Sequence, residues 1–204
     1  MLTIKTYSYD IRTLESHIMD TKIKKLLDSA KIKYQLISHK KVYTAFNEAE
    51  TQHIDPKTVV KTVFVKLSKP SAHVLQSGDV KTIDSVLVAV PAKHRVDFKK
   101  IAQAVNNHAA KSHKLLVKSS PKAKLPPKVT VKMASEKDIT KKLKTKVGLL
   151  HPFGVFFNTP LLLDRKLSKN KKIIVPAGSY TESLEMDYKD ILKITPGMEG
   201  NFTE

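Results

Sequence analysis

The sequence predicts an α+β fold: a single domain in which a mixed β-sheet is flanked by helices. Three observations carry this reading. The chain has 204 residues, 41% of them hydrophobic, enough for one good core. Two apolar runs rich in β-branched residues, "TVVKTVFVKL" and "DSVLVAVP", read as strands. Helical and strand patterns are interspersed without a strict βαβ repeat, which favours a mixed sheet over a doubly wound one.

The elements follow in chain order. "MDTKIKKLLDSAKI" reads as a helix, with Asp20 or Thr21 as cap and Ile23, Leu26 and Leu27 at helical spacing. "KYQLISH" reads as a strand, with Tyr34, Leu36 and Ser38 on one face. "TAFNEAETQHI" starts at Thr44, a suitable N-cap, and is broken by Asp55-Pro56. The two apolar strands follow, the second ended by Pro91. "DFKKIAQAVNNH" is an amphipathic helix with Phe98, Ile101 and Val105 as its stripe. From His108 the composition becomes lysine-rich. "SSPKAKLPPK" reads as a loop, "KVTVKMA" as a short strand and "SEKDITKKL" as a helix capped by Ser135. "VFF", "PLLLD" and "KKIIVPAG" read as strands, and "DYKDILKI" as a final amphipathic helix. The expected organisation is an N-terminal extension (1–20), one domain (21–197) containing a Lys-rich segment (108–147), and a C-terminal tail (198–204).

Charge limits the partners. Lys+Arg number 37 against 19 Asp+Glu, a formal net charge of +18. Such a field concentrates polyanions, nucleic acid foremost. A merely Lys-rich surface remains an alternative, since only Arg12, Arg95 and Arg165 are arginines. No apolar run approaches the roughly 18 residues of a membrane span, and the N-terminus lacks the apolar core of a signal peptide. With no cysteine there is no disulfide framework and no thiolate nucleophile. A cytoplasmic protein without membrane contact is expected. The eight histidines form no HExxH, and there is no P-loop, no GxGxxG and no GxSxG. No metal and no cofactor are expected.

Two local features remain. Lys61 lies inside "VVKTV" and on the two-residue period shares a face with Val59 and Val63. Either it faces water, or its cationic head sits at the mouth of a pocket with its stem on apolar neighbours. "GLLHPFG", Gly148 to Gly154, is a stiff turn whose only polar side chain is His151. Either it is an ordinary tight turn, or the amides of Leu149, Leu150 and His151 form an anion-binding nest fixed by Pro152.

Together and in this order, these features resemble the YbaK/prolyl-tRNA synthetase-associated family of aminoacyl-tRNA deacylases. The resemblance runs from about Thr21 to Thr195. It is carried by "KYQLISHKKVYTAFNEAE", "DPKTVVKTVFVKL", "SVLVAVPAKHRVDFKKIAQAV", "MASEKDI", "GLLHPFG" as the family's GxxxP loop, and "LLLDRKL" with "KIIVPAGSYTESLEM". It implies hydrolysis of the ester joining a wrong amino acid to the 3′ end of a tRNA, expected to be tRNA-Pro carrying Cys, Ala or another small amino acid. Lys61 then holds the terminal ribose or phosphate side. Gly148, Leu149, Leu150, His151 and Pro152 polarise the aminoacyl carbonyl through their backbone. His39, Thr44 and Ser183 fall where a bacterial member has pocket tyrosine, phenylalanine and aspartate residues, and Val59, Phe153 and Gly154 complete the expected substrate-binding set. The implied partners are the tRNA 3′ aminoacyl end, its acceptor stem gripped by the Lys-rich segment, and an aminoacyl-tRNA synthetase. A non-catalytic tRNA- or RNA-binding module of the same fold is the alternative.

Overall fold

A computed structural model of the chain describes residues 19–74, 80–119, 125–195 and 197–204. The N-terminal extension lies almost wholly outside these residues, as does part of the "SSPKAKLPPK" loop.

The first elements form where their local signals place them. Helix α1 (Thr21–Ser29) is capped by the Asp20 carboxylate, which accepts the Lys22 amide at 2.8 Å, and it buries Ile23 and Leu27. Strand β1 (Tyr34–Ser38) leads to helix α2 (Ala45–Thr51), whose cap Thr44 accepts the Asn47 amide at 3.1 Å. The long strands β2 (Val60–Val74) and β3 (Val80–Pro91) pair antiparallel, with a register shift between Lys66 and Ser71. Helix α3 spans Phe98–Ser119 and so runs well into the Lys-rich segment. Strand β4 (Val131–Met133) precedes helix α4 (Glu136–Leu143), where Ser135 and Asp138 form a capping box.

Three differences from expectation follow. "VFF" is not a strand: Gly154–Phe157 is a 3-10 turn, closed by Asn158 at φ 50° and by the Thr159 amide on the Gly154 carbonyl at 3.1 Å. After β5 (Leu161–Asp164) and β6 (Lys172–Pro176), a further strand β7 (Glu182–Asp187) runs directly into helix α5 (Tyr188–Ile194). The last residues do not trail away: β8 (Gly197–Gly200) pairs parallel with β5, and Phe202 is buried.

The strands make two sheets. β1-β7-β6 is antiparallel and three-stranded, whereas β4-β2-β3-β5-β8 is mixed, with β3/β5 and β5/β8 parallel. Alternation along the strands of the larger sheet supplies two cores. Val60, Phe64, Leu87, Ala89, Leu161 and Leu163 face the smaller sheet with α1, α4 and α5. Val65, Val86, Val88, Val90 and Leu162 face α3 through Ile101 and Val105. Buried on both faces, β3 and β5 therefore read as continuous apolar runs.

Candidate active site

The site begins with an unpaired strand edge. Across Lys61–Val63, β2 pairs with β3 on one side only: β4 pairs with it over Val65–Leu67, the Ala134 amide donates to the Phe64 carbonyl at 3.0 Å, and Val59 bridges to Ile174. All five residues from Val60 to Phe64 line a cavity of about 360 Å³ along that edge. A run of consecutive wall residues is what an open edge gives, because backbone as well as side chains faces the space. β4 and α4 close it with Met133, Ala134, Glu136 and Ile139, the α2 entry with Tyr43, Thr44 and Ala45, and β6 with Pro176. The last wall is the segment Val147, Gly148 and Leu150. Lys61, Thr44, Gly148 and Leu150, separated widely in sequence, thus meet at one apolar cavity.

Gly148 is required where it stands. Its φ of +89° is in the left-handed region, and a Cβ would come within 3.0 Å of both the Tyr43 carbonyl oxygen and the Tyr180 ring. The backbone beyond it is only partly available. The Leu149 amide donates to the Lys146 carbonyl at 3.1 Å, whereas those of Leu150 and His151 have no partner among the described residues. Two amides of the loop, not three, are therefore left without a protein acceptor, and of these two residues only Leu150 lines the cavity.

Lys61 is half-buried on the α3 side of β2, and its ammonium donates to the carbonyls of His94 at 2.7 Å and Ala92 at 3.5 Å. Neither carbonyl belongs to a residue of the cavity wall. Burial, followed by the nearby Arg95 charge, lowers the Lys61 pKa. Next to it, the Thr62 hydroxyl is buried without a hydrogen-bond partner.

Side chains alternate across the loop. Leu149 and His151 point to a second cavity of about 400 Å³, which also carries Asp20, Lys22, Lys142, Lys144 and Phe156. His151 is 5% exposed, stacks on Phe157 at 4.8 Å, and leaves Nδ1 without a partner. Burial pushes its pKa down to about 4, so it is neutral at pH 7. Pro152, Phe153 and Gly154 are buried behind the loop. Gly154 packs so tightly that a Cβ would lie 2.1 Å from the Thr159 carbonyl oxygen.

His39 and Ser183 come together but not at the cavity wall. His39 Nε2 lies 3.2 Å from Ser183 Oγ and 3.8 Å from Glu48 Oε1, while Nδ1 lies 2.8 Å from the Lys40 carbonyl. A carbonyl facing Nδ1 calls for a proton there, and in that tautomer Nε2 accepts from the Ser183 hydroxyl. Burial raises the Glu48 pKa against the opposing Ser183, His39 and Gln52 contacts. Val59 is buried and bridges to Ile174, joining the two sheets. Sequence reasoning left out Thr62, Tyr43, Met133 and Ile139. Of these only Thr62 carried a signal, as the neighbour of Lys61 in "VVKTV".

Among the described residues no group of three or more His, Asp or Glu could hold a metal ion, and no helix is long and apolar enough to cross a membrane.

The family model for the aminoacyl-tRNA editing domain matches residues 123–194, a stretch that includes the Gly148–Pro152 loop and stops short of Lys61. No curated protein matches the chain. Among the solved structures that share its fold are the following two. The hypothetical protein APE2540 superposes with a TM-score of 0.63 at 17% identity, covering 90% of this chain and 99% of the other. A candidate trans-editing enzyme for prolyl-tRNA synthetase gives 0.61 at 16%, covering 90% and 96%. The chain thus resembles the aminoacyl-tRNA editing family, in sequence over residues 123–194 and in the fold it shares with the candidate trans-editing enzyme.

Proposed function

We propose that the protein is a cytoplasmic trans-editing aminoacyl-tRNA deacylase. Its substrate is a mischarged tRNA, tRNA-Pro carrying Cys, Ala or another small amino acid. The observation that carries the reading is the meeting of Lys61 with Gly148 and Leu150 on one apolar cavity. The ester is already activated, so water is the nucleophile and positioning with oriented dipoles is what the protein must supply. The free amides of Leu150 and His151 hold the carbonyl oxygen as the tetrahedral intermediate forms. The Lys61 ammonium exchanges the His94 and Ala92 carbonyls for ribose or phosphate oxygens of the terminal adenosine. Thr44, with a hydroxyl on the cavity wall, is the nearest side chain for amino-acid selection. His39 and Ser183 act on the pocket from behind, through the β1–α2 turn. The exposed lysines of α3 and residues 125–147 grip acceptor-stem phosphates, and a synthetase partner supplies the mischarged substrate.

A non-catalytic tRNA-binding module is the second reading. It is favoured by the state of Lys61 and Leu149, both already satisfied by protein carbonyls. Release of amino acid from Cys-, Ala- and Ser-tRNA-Pro separates the two. The deacylase releases at least one of them; the module binds tRNA and releases none.

A further inference from the structure

We propose that Tyr43, Tyr180 and Lys41 form a stacking platform for the unpaired 3′-terminal nucleotides of the RNA substrate, an inference that rests on the editing reading above. Tyr43 lines the cavity and yet is 58% exposed, a large aromatic left in water at the mouth of a binding site. The Tyr180 ring lies 5.1 Å from it, tilted by 58°, so it braces Tyr43 without covering it face to face. The pair is built rigidly. Val42 donates its amide to the Tyr180 carbonyl at 2.9 Å, His39 to the Thr181 carbonyl at 2.8 Å, and the Tyr180 hydroxyl to the Val147 carbonyl at 3.1 Å. Gly148 packs against both residues. A platform fixed before binding loses little freedom when a base stacks on it. The Lys41 ammonium lies 5.5 Å and 5.8 Å from the two ring centroids, and no carboxylate pairs with it among the described residues. An aromatic face beside an unpaired cation is what a single-stranded nucleic acid needs, one part for its base and the other for its phosphate. The platform leads directly to the cavity that would take the terminal ester.

The test uses the full chain and a 5′-labelled RNA hairpin carrying an unpaired 3′ CCA, against the same hairpin with a blunt end. Anisotropy at fixed salt should show tighter binding to the overhang. Tyr43→Ala should weaken overhang binding about tenfold and leave the blunt hairpin unchanged. Tyr43→Phe should keep the preference, and Lys41→Ala should reduce the salt slope by about one. Tyr43→Ala with the overhang preference intact overturns the platform. So does a wild-type protein that deacylates charged tRNA normally but does not distinguish the two hairpins. If the wild type binds neither hairpin and deacylates nothing, the editing reading falls and the platform with it.

Discussion

The two sides of the Gly148–Pro152 loop are built oppositely. The side shown by Gly148 and Leu150 is mostly apolar, and its unsatisfied polar groups include the Leu150 amide, the open edge of β2 and the Thr62 hydroxyl. The side shown by Leu149 and His151 carries three lysines and a carboxylate, of which Lys142 and Asp20 are engaged. Lys142 pairs with Asp84 and Ser85, Asp20 caps α1, and His151 is neutral. Charge is thus concentrated on one side of the loop and the open strand edge on the other. Net charge governs how a polyanion approaches, and fixed backbone dipoles govern what happens to an ester once it arrives.

The largest effect should come from filling Gly148. Gly148→Val forces a β-branched residue to a positive φ and against the Tyr43 carbonyl, so deacylation should be lost and stability should fall by about 2 kcal/mol. A denaturation midpoint and a rate at wild-type values would remove the backbone from the account. Lys61→Ala should lower the deacylation rate on the order of 100-fold while circular dichroism stays unchanged. Thr62→Val sharpens the front further. The hydroxyl has no partner to lose, so stability should hold or rise, and a fall in rate would place that hydroxyl on the substrate.

The rear side predicts a pH effect. His151 has a folded pKa near 4, below the ordinary 6.5, so in that window the unfolded chain binds more protons. Its contribution to stability is fully present above pH 6.5 and is lost as pH falls towards 4. His151→Phe, which fits the neighbouring Phe153 and Phe157 rings, should flatten the melting temperature over that range relative to wild type. The smallest effect belongs to Lys144→Ala, a KM change of a few-fold at low salt that disappears at high salt.

How much was legible in the sequence depends on what held each part. Asp20, Thr44 and Ser135 cap helices through local bonds, and local residue types revealed them. β2 and β3 were legible because burial on both sides demands β-branched apolar runs. "GMEG" carries no strand signal, and its pairing comes from parallel contact with β5, a tertiary cause. "VFF" has strand propensity, but the turn between Gly154 and Thr159 overrides three residues of it. The lysines after His108 marked a change of composition and not the end of a helix, since lysine is a good helix former. At the site, Lys61 and Gly148 stood out as residue types in unusual places. The cavity itself did not, because it exists where β4 stops short of pairing the rest of β2.

The central claim is that Lys61 and the Gly148–Pro152 backbone act together on an aminoacyl ester. The most direct measurement is amino-acid release from Cys-, Ala- and Ser-tRNA-Pro by the wild-type protein and by Lys61→Ala. The account predicts release of at least one amino acid by the wild type and near-background release by the variant. Equal release by both, or none from any substrate despite tight tRNA binding, would contradict it.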